Sequence, residues 1–215
     1  MYHSQCEEDQ YLNDNYFKNK RSGKYIELGA IDGVFFSNTK FYEDQLGWSG
    51  VLIEPHPEKF KLLQNNRPNN HLSGSVVSNE TEFQTFRYFV DGYCAVSGIE
   101  DTLPDAHFGA YFDGRVGQVH PQAKRIMKPE SLTSILRAST IEHFDLLSLD
   151  VEGHELSVLN SWDFSIPIDI ILIEMLGAED GRDEKCREIL INNGYVFKET
   201  FKHNEIFVHN SSPYV

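Results

Sequence analysis

The sequence of 215 residues predicts an α/β protein with a mostly parallel sheet covered by helices on both faces. Two observations carry this. Short apolar runs alternate with amphipathic stretches of helical period along most of the chain, the pattern of a parallel sheet with crossover helices. The last two runs instead flank Lys202-His203-Asn204, which predicts a hairpin adding an antiparallel edge.

Residues 7–20 read as a helix, with Tyr11, Leu12, Tyr16 and Phe17 at helical spacing and no proline before Pro55. Residues 24–28 form a buried strand ending at Gly29. Ser37-Asn38-Thr39 caps a helix that runs to about Leu46, where Gly47 stops it. A second strand covers 50–53 and closes on Glu54-Pro55. A helix over 58–66 follows, then strands over 72–77 and 83–90. Residues 91–129 have no clean period and read as an irregular insertion, the kind of segment that often serves as a lid or binding loop. Regularity returns with a helix over 131–138, a strand over 144–149, a helix over 154–159, a strand over 168–174 and a helix over 183–193. The terminal hairpin takes 195–200 and 205–209.

Composition narrows the class. With 40% hydrophobic and 13% aromatic residues the chain can bury a core, and 215 residues suit a single domain spanning 1–215. No apolar stretch is long enough to span a bilayer, and the first residues lack the basic flank and apolar core of a secretory signal. The net charge of −14 disfavours nucleic-acid phosphates as partners. Three scattered cysteines, without CxxC or zinc spacing, fit a reducing, cytoplasmic setting.

In an open α/β sheet, ligands bind beyond the carboxyl ends of the strands. Those ends carry Glu27-Leu28-Gly29-Ala30-Ile31-Asp32-Gly33, Ile53-Glu54-Pro55, Asp150-Val151-Glu152-Gly153 and Ile173-Glu174. Gly29 and Gly33 permit positive φ and close approach of a ligand. Glu54, at the end of the next strand, sits where an acid takes both hydroxyls of a ribose. Ile31 stands where a dinucleotide fingerprint wants its second glycine, and no phosphate loop occurs. Acids at this turn suit a cationic ligand end, such as the ammonium and sulfonium of S-adenosylmethionine. Each feature also has an ordinary explanation as a strand–helix junction or a solvated acid. Buried Asp150 and Glu174 fit that explanation least, because unpaired buried carboxylates are costly.

Residues 24–57, KYIELGAIDGVFFSNTKFYEDQLGWSGVLIEPHP, resemble the cofactor-binding half of the FkbM-family methyltransferases. Residues 144–159, FDLLSLDVEGHELSVL, are similar to the family's second signature, and Ser4-Gln5 with Glu8-Asp9 to its N-terminal approach segment. The resemblance implies the class I methyltransferase fold, Rossmann-like, with a seven-stranded sheet and S-adenosylmethionine as cofactor. It implies methyl transfer to a hydroxyl of a sugar, glycan or natural product; related domains occur in bacterial proteins and in proteins decorating glycans of large algal viruses, for which the setting would be host cytoplasm. Carried over by position, Glu27, Gly29, Ala30 and Asp32 would wrap the methionine end and Glu54-Pro55 the ribose. Ser37 and Asn38 would meet the cofactor's carboxylate, Gln5 and Asp9 would close that end, and Val77-Ser78 would flank adenine. Asp150 belongs to the same cofactor set. The family commonly has Asn where this chain has Ile31.

A hydroxyl acceptor loses a proton as it attacks. His154 is the preferred base, oriented by Asp150 or Glu152. A divalent ion, Mg or Mn, on Asp150, Glu152 and Glu174 ranks second to a metal-free site. Within the insertion, Tyr93 and Tyr111 would stack on a sugar face while His107, Arg115 and His120 meet its hydroxyls, with Glu174 on the acceptor side. The alternatives are a methyltransferase for a non-sugar oxygen or nitrogen, a non-catalytic nucleoside-binding module, and, disfavoured by Ile31, a nicotinamide dehydrogenase. Oligomeric state is left open.

Overall fold

A computed structural model describes residues 1–90, 94–115, 120–177 and 180–214. Its main sheet has seven strands in the order β3-β2-β1-β7-β8-β10-β9. These are β1 (Lys24–Leu28), β2 (Ser49–Ile53), β3 (His71–Ser73), β7 (Phe144–Leu149), β8 (Ile168–Glu174), β9 (Tyr195–Phe201) and β10 (Asn204–His209). The first five are parallel, whereas β10 runs antiparallel to both β8 and β9. The expected class I architecture is therefore observed. Strand order reverses between β1 and β7, which places a crevice beyond their carboxyl ends.

Alternation along each strand feeds two cores. Ile26, Leu28, Leu147, Leu149, Ile171 and Ile173 pack with α5 (Leu132–Ser139), α6 (Glu155–Asn160) and α7 (Arg182–Asn192). Tyr25, Leu52, Leu146, Ile170 and Leu172 pack on the other face with α1 (Glu8–Leu12), α2 (Lys40–Leu46) and α3 (Pro57–Asn66). Strands apolar on both faces are what a doubly covered sheet needs. The helix expected over 7–20 is shorter and changes form: after α1 the chain continues as a π-helical turn, Asn13–Phe17, that ends at Lys18 with φ 48°.

Two expectations need correction. The strand expected over 72–77 pairs with β2 only through His71–Ser73, after which Val77 makes a single bridge to Glu130. The stretch read as irregular is built. Strand β4 (Gln84–Phe89) pairs with β5 (Gly98–Ile99) and β6 (Gln122–Met127) in a separate antiparallel sheet, and α4 (Asp105–Tyr111) lies between β5 and β6 in the chain. Phe86, Ile99 and Met127 of this sheet pack on Val76, and Phe89, Leu103 and Phe112 form a second small core. The sequence hides β6 because most of its side chains are exposed or half-buried, so no apolar period marks it. Of the described residues, no helix is long and apolar enough to cross a membrane.

Candidate functional site

Strand register places the site. Ile53, Leu28, Leu149 and Ile173 stand side by side on β2, β1, β7 and β8. The next residue on each strand is therefore Glu54, Gly29, Asp150 or Glu174, so three acids and a glycine line one edge. A cavity of about 390 Å³ opens there, within the range of small-molecule sites. The sheet edge, the N-terminal segment and the insertion all contribute to its wall.

At the β2 end, Glu54 is buried. Its Oε2 accepts from the Ile31 backbone N–H at 2.8 Å and its Oε1 from that of His56 at 2.7 Å. Burial pushes its carboxyl up to about 7 despite these two donors. Ile31 sits at φ 50° between Gly29 (φ 81°) and Gly33 (φ 77°), which aims its amide at Glu54. A Cβ on Gly29 would lie 2.1 Å from the Asp150 carbonyl oxygen, so only glycine lets the loops after β1 and β7 meet.

Glu27 also lines the cavity, but its carboxylate is an anchor. Its Oε1 accepts from Asn38 N–H at 2.7 Å, and its Oε2 from Ser37 Oγ at 2.9 Å and Thr39 Oγ1 at 2.5 Å. Burial pushes Glu27 up and the nearby Arg67 guanidinium opposes that shift. Arg67, fully buried, donates to the Gly33 carbonyl, Tyr25 Oη and Thr39 Oγ1 and pairs with Glu43 at 2.6 Å. The helix-start amide expected to meet a cofactor carboxylate thus already donates to Glu27.

At the β7–β8 end, carboxyl oxygens of Asp150, Glu152 and Glu174 lie within 4.8 Å of one another. Burial pushes all three up, and Asp150's charge pushes Glu152 and Glu174 further. This spacing would also admit a hard cation. Glu152 sits at φ 58°, and its Oε2 lies 3.3 Å from His107 Nδ1 of α4. His107 Nε2 donates to the Val96 carbonyl, which can only accept, so Nδ1 of the neutral ring is the lone-pair nitrogen. His154 precedes α6 and faces Thr102 Oγ1 through Nδ1 at 3.0 Å. Burial drives its pKa down to about 4, and its buried Nε2 has no hydrogen-bond partner among the described residues.

Of the residues expected to form a site, Gln5, Glu27, Gly29, Asn38, Glu54, Pro55, Val77, His107, Tyr111, Asp150, Glu152, His154 and Glu174 line this one cavity. Others lie elsewhere for definite reasons. Asp9 is buried and accepts from His3 N–H and Ser4 Oγ, tying down the N-terminal segment. Asp32 accepts from Val34 and Phe35 N–H, closing its own turn. Ser37 is buried between Glu27 and the start of α2, where its Oγ accepts from Lys40 N–H. Ala30 is part of the core, and Ser78 Oγ accepts from Glu80 N–H. Arg115 pairs with Asp105 at 2.8 Å and Asp113 at 2.6 Å, and neither it nor His120 lines the cavity. Tyr93 lies outside the described residues.

The lining also includes Glu8, Ser97, Ser148, His203 and Asn204, which the sequence reading passed over. Glu8 was legible beside Asp9; its carboxylate accepts from Cys6 N–H at 2.8 Å and Asn204 Nδ2 at 3.4 Å. His203 and Asn204 come from the hairpin tip, which local sequence alone marks only as a turn.

Solved structures are similar to the chain, and one of them, at a TM-score above 0.5, shares its fold. Fibrillarin from Aeropyrum pernix, crystallised with natively bound S-adenosyl-L-methionine, is 11% identical, with 95% of this chain and 73% of that chain covered at a TM-score of 0.51. A methyltransferase from Pyrococcus furiosus is 14% identical, with 97% and 87% covered and a TM-score of 0.45. No curated protein matches the chain significantly. The sequence model of the methyltransferase FkbM domain matches residues 27–197, which contain the acid-lined strand ends of the main sheet. The chain belongs to the FkbM-domain methyltransferases.

Proposed function

We propose that this methyltransferase transfers the methyl group of S-adenosylmethionine to a hydroxyl of a sugar or glycan acceptor. The observation that carries the reading is the row of strand ends: Glu54, Gly29 and Asp150 face one cavity at the point where strand order reverses. The cofactor's chemistry fits these residues. Glu54 has its carboxylate fixed by two backbone donors and lone pairs to spare, the arrangement that takes a ribose diol. Val77 and the β2 end would flank adenine. Glu8, Gln5 and Asn38 would border the methionine end, with Glu8 offering an anion to its ammonium.

When bound, S-adenosylmethionine supplies an electrophilic methyl on a cationic sulfur. The protein's part is to align the acceptor oxygen and to take its proton. Asp150 is the better base. His154, held near 4, is the weaker proton acceptor at neutral pH, and its Nδ1 already faces Thr102. Asp150 is raised by burial to about 6, while burial and the Asp150 charge push Glu174 higher. His154 then serves as a hydrogen-bonding wall, and Glu152 is positioned by His107. The insertion carrying His107 and Tyr111 covers the acceptor side. The net charge of −14 supports an acceptor other than nucleic acid. Three free cysteines support a reducing compartment, the cytoplasm of a bacterium or of a virus's host.

Calorimetry with S-adenosylmethionine and S-adenosylhomocysteine tests the donor. Mass spectrometry of a glycan pool incubated with labelled donor tests the transfer. Absence of binding by both ligands would sink the reading.

A further inference from the structure

The acceptor end of the cavity is electrostatically one-sided. Asp150, Glu152 and Glu174 cluster at this end, and Glu8, Glu27 and Glu54 line the rest of the cavity. No Lys or Arg is among its described lining residues. Arg182, which reaches the neighbouring loop, pairs with Asp180 and donates to the carbonyls of Thr102 and Gly153 at 2.5 Å for the latter. It is not part of the lining. An anion entering here meets carboxyl oxygens and no guanidinium or ammonium among the described lining residues.

A second observation concerns what the wall still lacks. His154 is 3% exposed, and its Nε2 and the buried Glu174 Oε2 on the same wall have no hydrogen-bond partner among the described residues. Buried polar atoms left in this state are costly, so a ligand that satisfies them gains affinity. The two atoms differ in kind. A carboxyl oxygen wants a donor, whereas the imidazole nitrogen wants a donor or an acceptor according to its tautomer. Only a group that both donates and accepts suits the pair in every protonation state, and a hydroxyl does so. An ammonium only donates, and a phosphate or carboxylate only accepts.

We infer that the part of the acceptor entering this cavity is an uncharged polyol, and that the site rejects acceptors with a phosphate or carboxylate beside the reacting hydroxyl. The inference rests on the methyl-transfer reading above and adds the charge and hydrogen-bonding class of its substrate. Specificity arises here by repulsion as much as by attraction, because the same carboxyl groups that receive hydroxyl protons exclude anions.

The test uses the full chain with S-adenosylmethionine and a panel of methyl hexosides matched in ring stereochemistry. At C6 each carries a hydroxyl or hydrogen, a carboxylate, a phosphate or an amine. Initial rates of methyl incorporation are read by mass spectrometry, and donor binding is measured separately by calorimetry. Neutral members are expected to exceed their uronate and phosphate counterparts by about a hundredfold or more in kcat/KM, a gap that narrows with salt. An equal or faster rate with the anionic members, or an amine preferred over its hydroxyl twin, overturns the inference. If the donor binds but no neutral member is methylated, this inference falls and the donor assignment stands. If the donor does not bind, the methyl-transfer reading falls first.

Discussion

The two ends of β7 each carry a buried acid and treat it in opposite ways. At the start of the strand, Asp145 is met by Lys20 Nζ and by the Lys24 N–H at 2.7 Å. Just past its end, Asp150 is met by Glu152 and Glu174, and the cavity it faces has no cationic side chain among its described lining. The first acid is neutralised by its own chain and serves to pin the N-terminal segment to the sheet. The second is left without a cation, at a cost that a structural role does not need. An acid at a strand end therefore says little by itself. What separates structure from function is whether the protein also supplies the counter-charge.

This contrast is open to direct attack, and the largest effect is expected at its centre. Asp150→Asn should lower kcat by about 10²–10⁴-fold while leaving the melting temperature unchanged or raised, because a buried like-charge cluster loses a member. Asp145→Asn should do the reverse, lowering the melting temperature by about 5 °C with kcat nearly intact. If both variants lose stability and keep activity, the two ends of the strand do not differ in the way described.

Next in size is Glu54→Gln, which keeps the side-chain shape but loses the charge that strengthens bonds to two hydroxyls. Its donor affinity should fall about a hundredfold by calorimetry. A change below threefold would remove Glu54 from the ribose site.

The raised acidity range of Glu54 gives a smaller, pH-dependent effect. Its folded value of about 7 lies above the ordinary 4.5, as does that of Glu155, also about 7 through burial. Both groups favour the fold fully below pH 4.5, and that contribution is lost as pH rises through 7. The ligand-free protein should therefore melt at lower temperature at pH 8 than at pH 5. Ribose hydroxyls donate to the ionised form of Glu54, so donor affinity should rise about tenfold from pH 6 to pH 8. A flat affinity profile would contradict that hydrogen bond.

The smallest expected effect is that of EDTA, which should leave turnover unchanged. Loss of activity restored by Mg or Mn would make the Asp150–Glu152–Glu174 cluster a metal site and assign its missing counter-charge to an ion.

The sequence by itself determined the sheet, the helices of its two faces and the acids at its strand ends. Period, glycine and capping residues act within a few positions of one another, and the register of Leu28, Ile53 and Leu149 follows from burying both faces. Tertiary structure decided the rest. Asn38 and Ser37 have the residue types of a ligand-binding helix start, yet Glu27, from a neighbouring strand, claims their donors. His107 was one of several polar residues in a patternless stretch until pairing of β4 with β6 ordered the insertion that brings α4 to Glu152. His154 reads as a general base, while the burial that lowers its pKa to about 4 has no mark in the local sequence. Hydrogen-bond partners, desolvation and counter-charges come from residues distant in sequence. Chemistry that depends on them has no local signature.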